Sequence, residues 1–186
     1  MHNVALYVIV VQSDNNIIFD NKCVKHYLDA SNRRIADLGW GHRGLSEKNE
    51  APVLARAGQL FSRLTLGSYA NLRDELDENG NPILLGVRPN DAEVSVGGMS
   101  DGTRDQLYLS LRLATLEQHL SKGEPMPFVV DDILIGFDDH RTRICLAVLA
   151  ELAVSTQVLL FTHHRRFLEL AGELEVQAGI FTHELH

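Results

Sequence analysis

Two short runs constrain this chain most: Phe128-Val129-Val130 and Gln157-Val158-Leu159-Leu160-Phe161, separated by a helical stretch from Arg141 to Leu152. A continuously apolar strand is covered on both faces, which is the habit of parallel sheets. Strand, helix and strand in that order imply a right-handed parallel crossover. The sequence therefore predicts an α/β fold, a parallel sheet flanked by helices. Both runs end in polar groups, Asp131-Asp132 and Thr162-His163-His164. Ligands of open parallel sheets bind beyond the carboxyl ends of the strands, so the two clusters are expected to share one crevice.

Upstream, Val53, Ala57, Leu60, Phe61 and Leu64 fall on one helical face behind Pro52, a residue suited to a first turn. Leu72 to Leu76 and Ile83 to Val87 then flank Asp77-Glu78-Asn79-Gly80-Asn81-Pro82, whose Asn-Gly signals a small antiparallel hairpin. Val94 to Val96 is expected to add a short strand. A helix from Arg104 to Leu120 carries a wide leucine arc and is expected to bury it against a sheet. The first fifty residues read differently: an apolar strand or hairpin beginning at Val4 to Val11, then a weak helix and a loop. Gly39-x-Gly41-x-x-Gly44 has the letters of a dinucleotide fingerprint, but no strand leads into it, so it reads as a glycine-rich loop.

Charge and cysteines narrow the class. The 186 residues carry a net charge of -8, and all of the acidic excess lies after Glu50, so the body is a poor nonspecific clamp for DNA. Cys23 and Cys145 stand apart with no C-x-x-C spacing, which argues against a zinc site or a disulfide framework and for a reducing, cytoplasmic setting. The run Val4 to Val11 is too short to span a bilayer, so no membrane association is expected.

Chemistry concentrates in three places. Met99-Ser100-Asp101-Gly102-Thr103-Arg104-Asp105-Gln106 opens into the long helix; Ser100 can cap the free amides, Gly102 permits close approach, and the helix dipole favours an anion such as phosphate. Asp131 and Asp132, at a strand end, suit magnesium, which takes one or two carboxylates and leaves its other positions to water and phosphate. Neighbouring strand residues point to opposite sides, so one can serve the metal and the other a water. Each feature alone also reads as a turn or a helix cap. Asp131, Asp132, Asp138, Asp139, His163 and His164 together would alternatively suit a two-metal hydrolase.

In order and spacing these motifs resemble the C-terminal half of the nucleotide-binding domain of ABC-type ATPases, P-loop NTPases, and most closely the SMC-like branch with its YhaN-like ATPases. Met99 to Gln106 resembles the signature motif, with Ser100 and Gly102 at its serine and second glycine, Asp101 in place of its first glycine and Thr103 in place of glutamine or glutamate. Phe128 to Asp132 resembles the Walker B strand, which implies Asp131 as the magnesium carboxylate and Asp132 as the general base, where most of the superfamily has glutamate. Asp138, in Gly136-Phe137-Asp138-Asp139, matches the D-loop aspartate, and Thr162-His163 resembles the switch-histidine loop. The resemblance covers about Pro52 to Phe161 and somewhat beyond. It divides the chain into a leader, 1–50, that does not match and a C-terminal lobe, 51–186.

No G-x-x-x-x-G-K-[ST] occurs; the only lysines are Lys22, Lys25, Lys48 and Lys122. The phosphate cradle of that loop lies, in the family, in an N-terminal lobe beyond a long coiled coil. The resemblance thus implies ATP and Mg2+ as cofactors, a P-loop-bearing lobe or partner chain, a dimer closed across ATP, and DNA contact through the full assembly in repair or chromosome maintenance. A sheet without the partner's strands is expected to leave an open edge. The alternative is a non-catalytic interaction module or gene remnant.

Overall fold

The structure is a computed structural model that describes residues 6–11, 47–80, 82–121, 127–174 and 180–185. The expected weak helix and loop of the leader, and the Gly39 to Gly44 segment, lie outside the described residues. The chain divides into two compact units: one comprises 1–45, 125–132 and 146–186, the other 46–124 and 133–145.

The first unit is built on a four-stranded sheet. Its strands are β1 (Leu6–Val11), β5 (Phe128–Asp131), β6 (Val158–Thr162) and β7 (Ile180–Leu185), in the order β5-β6-β1-β7. β5 and β6 are parallel, with Phe128 opposite Val158 and Asp131 opposite Phe161, as the two apolar runs predict. Every residue of β6 is buried, which is why its sequence carries no polar alternation. The sheet is nevertheless mixed. β1 pairs antiparallel with both neighbours, Tyr7 opposite Thr162 on one side and Leu6 opposite Leu185 on the other. The apolar run of the leader is thus a strand, and it fills a place beside β6 instead of leaving that side open. Helix α4 (Arg165–Gly172) buries Phe167, Leu170 and Ala171 and packs on β7 and β1.

In the second unit, helix α1 (Glu47–Leu64) buries Val53, Ala57, Leu60, Phe61 and Leu64, the face that the sequence marks. It starts five residues earlier than expected, so Pro52 sits inside the helix rather than in its first turn. The ring removes one early amide donor, and residues 47–51 already have helical backbone. β2 (Asn71–Leu76), β3 (Pro82–Val87) and the short β4 (Glu93–Ser95) form an antiparallel sheet in that order. The hairpin turns where Asn-Gly predicts: Gly80 has a φ of +77°, its amide donates to the carbonyl of Asp77 at 2.9 Å, and the Asn79 amide donates to the Asp77 carboxylate at 2.8 Å.

Helix α2 (Asp101–Leu120) differs from expectation in two ways. It begins at Asp101, not Arg104, because Ser100 takes the cap position and draws the signature-like residues into the first turn. Within its unit its apolar side lies on α1 rather than on a sheet. Two polar ties fix that pairing: Arg56 grips Glu117 with two hydrogen bonds of 2.6 and 2.9 Å, and the buried Gln106 donates through Nε2 to the Leu64 carbonyl at 2.8 Å. The latter satisfies one of the carbonyls that a helix leaves free at its C-terminus. Helix α3 (Asp139–Leu152) buries Cys145, Leu146, Val148, Leu149 and Leu152.

Candidate nucleotide site

Parallel pairing of β5 and β6 brings their carboxyl ends together. Asp131, the last residue of β5, is exposed, and among the described residues its carboxylate makes no hydrogen bond or ion pair. Asp132 follows with a φ of +49°, the left-handed region, which costs an ordinary L residue free energy but which aspartate tolerates better than most. That turn sends the backbone across to β6: the Asp132 amide donates to the Phe161 carbonyl at 2.9 Å. Its Oδ1 in turn accepts from the backbone amide of His163 at 3.4 Å. The buried Thr162 steadies the same corner, its Oγ1 accepting from the His164 amide at 3.1 Å. Asp131, Asp132 and His163 therefore gather at one sheet edge, with the two carboxylates in different environments; Asp132 lies past the strand end in left-handed backbone, so its turn and not strand alternation separates them. The turn-forming part of Thr162 is not among the sequence expectations, although a threonine two residues before the amide it accepts from is a recognisable turn signal.

In the second unit, Ser100 caps α2. Its Oγ accepts from the Thr103 amide at 3.4 Å and lies 2.9 Å from the Thr103 hydroxyl. Asp101 forms an ion pair with Arg104 on the exposed first turn. Gly102 is half-buried, and the group closest to it is backbone: a Cβ built there would lie 2.8 Å from the carbonyl oxygen of Gly136. The sequence marks Gly102 for close approach; in this structure the approaching group is the loop that precedes Asp138. Nothing local in the sequence ties Gly136 to a residue so far upstream. Asp138 has a visible local role, capping α3: Oδ1 accepts from the Arg141 amide at 2.9 Å, and Oδ2 lies 3.6 Å from the Arg141 guanidinium.

The donor set fits magnesium in kind, an unengaged carboxylate at a sheet edge beside a second one, which suits a cation that shares its shell with phosphate oxygens. Among the described residues no three His, Cys, Asp or Glu side chains are grouped to hold a metal ion, so the two-metal reading finds no support there. Cys145 is no candidate either, since burial pushes its thiol up to about 12. Among the described residues no helix is long and apolar enough to cross a membrane.

No family profile matches the chain. It is 34% identical over 122 residues to the uncharacterized protein YhaN of Bacillus subtilis, an alignment covering 63% of this chain and 12% of YhaN. The chain thus spans about an eighth of that relative's length. Among solved structures, one described for the ATP-driven dimerization and DNA-stimulated activation of SMC ATPases matches with a TM-score of 0.53 at 15% identity, over 73% of this chain and 84% of that one. The Smc head of Pyrococcus furiosus, with an extended coiled coil and bound to the C-terminal domain of ScpA, matches with a TM-score of 0.51 at 14% identity, over 88% of this chain and 43% of that one. Part of the chain is similar in sequence to YhaN, and its backbone shows the α/β fold of SMC heads.

Proposed function

We propose that this chain is the C-terminal lobe of an SMC-like ATPase head and acts on ATP only together with a P-loop lobe supplied by another segment or chain. The observation that carries this reading is the joined corner of β5 and β6, where Asp132 accepts from the His163 amide beside the unengaged Asp131. In this reading Asp131 is the magnesium ligand. The bound cation would neutralise charge on the transferring phosphoryl group. Asp132 is the general base: the His163 amide holds Oδ1 and orients the carboxylate, while Oδ2, without a protein partner among the described residues, faces the attacking water. His163 follows directly on β6 and would report the state of the terminal phosphate through that same hydrogen bond.

Ser100, Asp101, Gly102 and Thr103, with Asp138, serve a second nucleotide, one held by the opposite member of a dimer. The support is the capped N-terminus of α2, whose first-turn amides and dipole favour an anion. ATP would then join two heads and its hydrolysis release them. In this reading two heads dimerise on ATP, as the SMC ATPases of similar fold do, and the assembly serves DNA repair or chromosome maintenance in the cytoplasm.

The test is ATP hydrolysis by this chain mixed with the separately expressed N-terminal part of YhaN, the segment where the family resemblance puts the P-loop. Turnover that appears on mixing and disappears with Asp132→Asn supports the reading. Absence of both binding and turnover would leave the non-catalytic module in its place.

A further inference from the structure

The direction of β1 is at odds with the sheet that holds it. β6 and β7 each pair antiparallel with β1, so they run parallel to one another, and β5 runs parallel to β6. Three strands point one way, and the reversed one lies between two of them. An otherwise parallel sheet usually carries its antiparallel strand at an edge. The register shows what the reversal does. At the edge where β5 and β6 end in Asp131 and Thr162, β1 presents its amino end, Tyr7 opposite Thr162.

A phosphate-binding loop follows the carboxyl end of a strand and opens a helix. In its present direction β1 cannot lead such a loop to Asp132 and His163. A parallel strand in the same place would end beside Thr162 and deliver the loop there. We infer that β1 is an exchangeable strand, occupying the place between β6 and β7 that a parallel strand of the P-loop lobe takes on assembly. The chain thereby covers, in isolation, two sheet edges that would otherwise be open to wrong partners. The apolar character of β1 suits such cover, since Ile9 is fully buried between Leu160 and Thr182 on the flanking strands. This inference rests on the two-lobe reading above.

Two measurements test it. In the unmodified chain, native-state hydrogen exchange should show the β1 amides opening locally, with protection about 100-fold or more below that of the β6 amides. Equal protection of the two strands would overturn the inference.

The second uses Ile9→Cys with Leu160→Cys in a Cys23→Ser background, since directly opposed antiparallel residues lie within disulfide reach. The reduced form should capture the N-terminal part of YhaN and the oxidised form should not. Capture by both forms would show that the lobe seats elsewhere and would overturn the exchange. Capture by neither would instead remove the two-lobe reading, and the exchange with it. A homodimer formed by the reduced chain alone and abolished by oxidation would assign the place to a second copy and also overturn the proposal.

Discussion

Asp132 separates fold from chemistry more sharply than any other residue of the site. Three features set what its replacement should do: a φ of +49°, a carboxylate that accepts one long hydrogen bond of 3.4 Å from the His163 amide, and half-exposure to solvent. A bond of that length at a hydrated corner contributes about 0.5 kcal/mol, since water can replace the lost partner. Left-handed backbone costs an alanine about 1 kcal/mol more than it costs aspartate, asparagine or glycine. Asp132→Asn keeps the shape, the acceptor and the backbone preference, so unfolding stability should move by less than about 0.5 kcal/mol. Asp132→Gly should also be nearly neutral, its relief of the backbone offsetting the lost hydrogen bond and greater unfolded-state freedom. Asp132→Ala loses the bond and keeps the strain, a cost of about 1–2 kcal/mol. Urea unfolding measures all three, and ATP turnover with the P-loop lobe should be lost in all three alike. A loss of stability above about 2 kcal/mol in Asp132→Asn would show that the charge belongs to the fold. Full turnover by that variant would remove Asp132 as the base.

Gly102→Ala should destabilise by about 1 kcal/mol despite the higher helix propensity of alanine, because its Cβ meets the Gly136 carbonyl; an increase in melting temperature would show that the loop yields freely. Ser100→Ala should cost about 1 kcal/mol and Ser100→Asp almost nothing, both read by thermal unfolding, since only the cap to Thr103 is at stake. Cys145 is held neutral by burial, its pKa raised from 9.0 to about 12, so its contribution is intact below pH 9 and is lost as pH rises toward 12. At about pH 11 the chain should therefore have lost on the order of 2–3 kcal/mol relative to a Cys145→Ala variant, each referred to its own stability at about pH 8. Parallel curves for the two proteins would contradict this.

What the sequence discloses is what its local patterns encode. The β5 and β6 runs, the buried face of α1, the turn at Gly80 and the cap at Ser100 all follow from spacing or turn chemistry within a few residues, and all stand in the structure. The apolar run of the leader discloses a strand but neither its neighbours nor its direction. Pairing is non-local, and a uniformly apolar strand carries no alternation to fix its register. For the same reason the approach of Gly136 to Gly102 and the setting of α2 against α1 are invisible in the chain: each depends on a segment brought from elsewhere. Asp138 shows a different limit. Its position matches a functional motif and a helix cap equally well, and the structure shows it capping. The start of α2 lies three residues ahead of the expected one, because the apolar periodicity begins later than the helix that Ser100 nucleates.

A site that is half of a shared one should be silent alone, and steady-state ATP hydrolysis is the decisive measurement. The purified 186 residues should hydrolyse no ATP above background. Turnover should appear when the P-loop lobe is added, saturate as that lobe is titrated, and vanish with Asp132→Asn. Robust hydrolysis by the chain alone would show that the site is not shared.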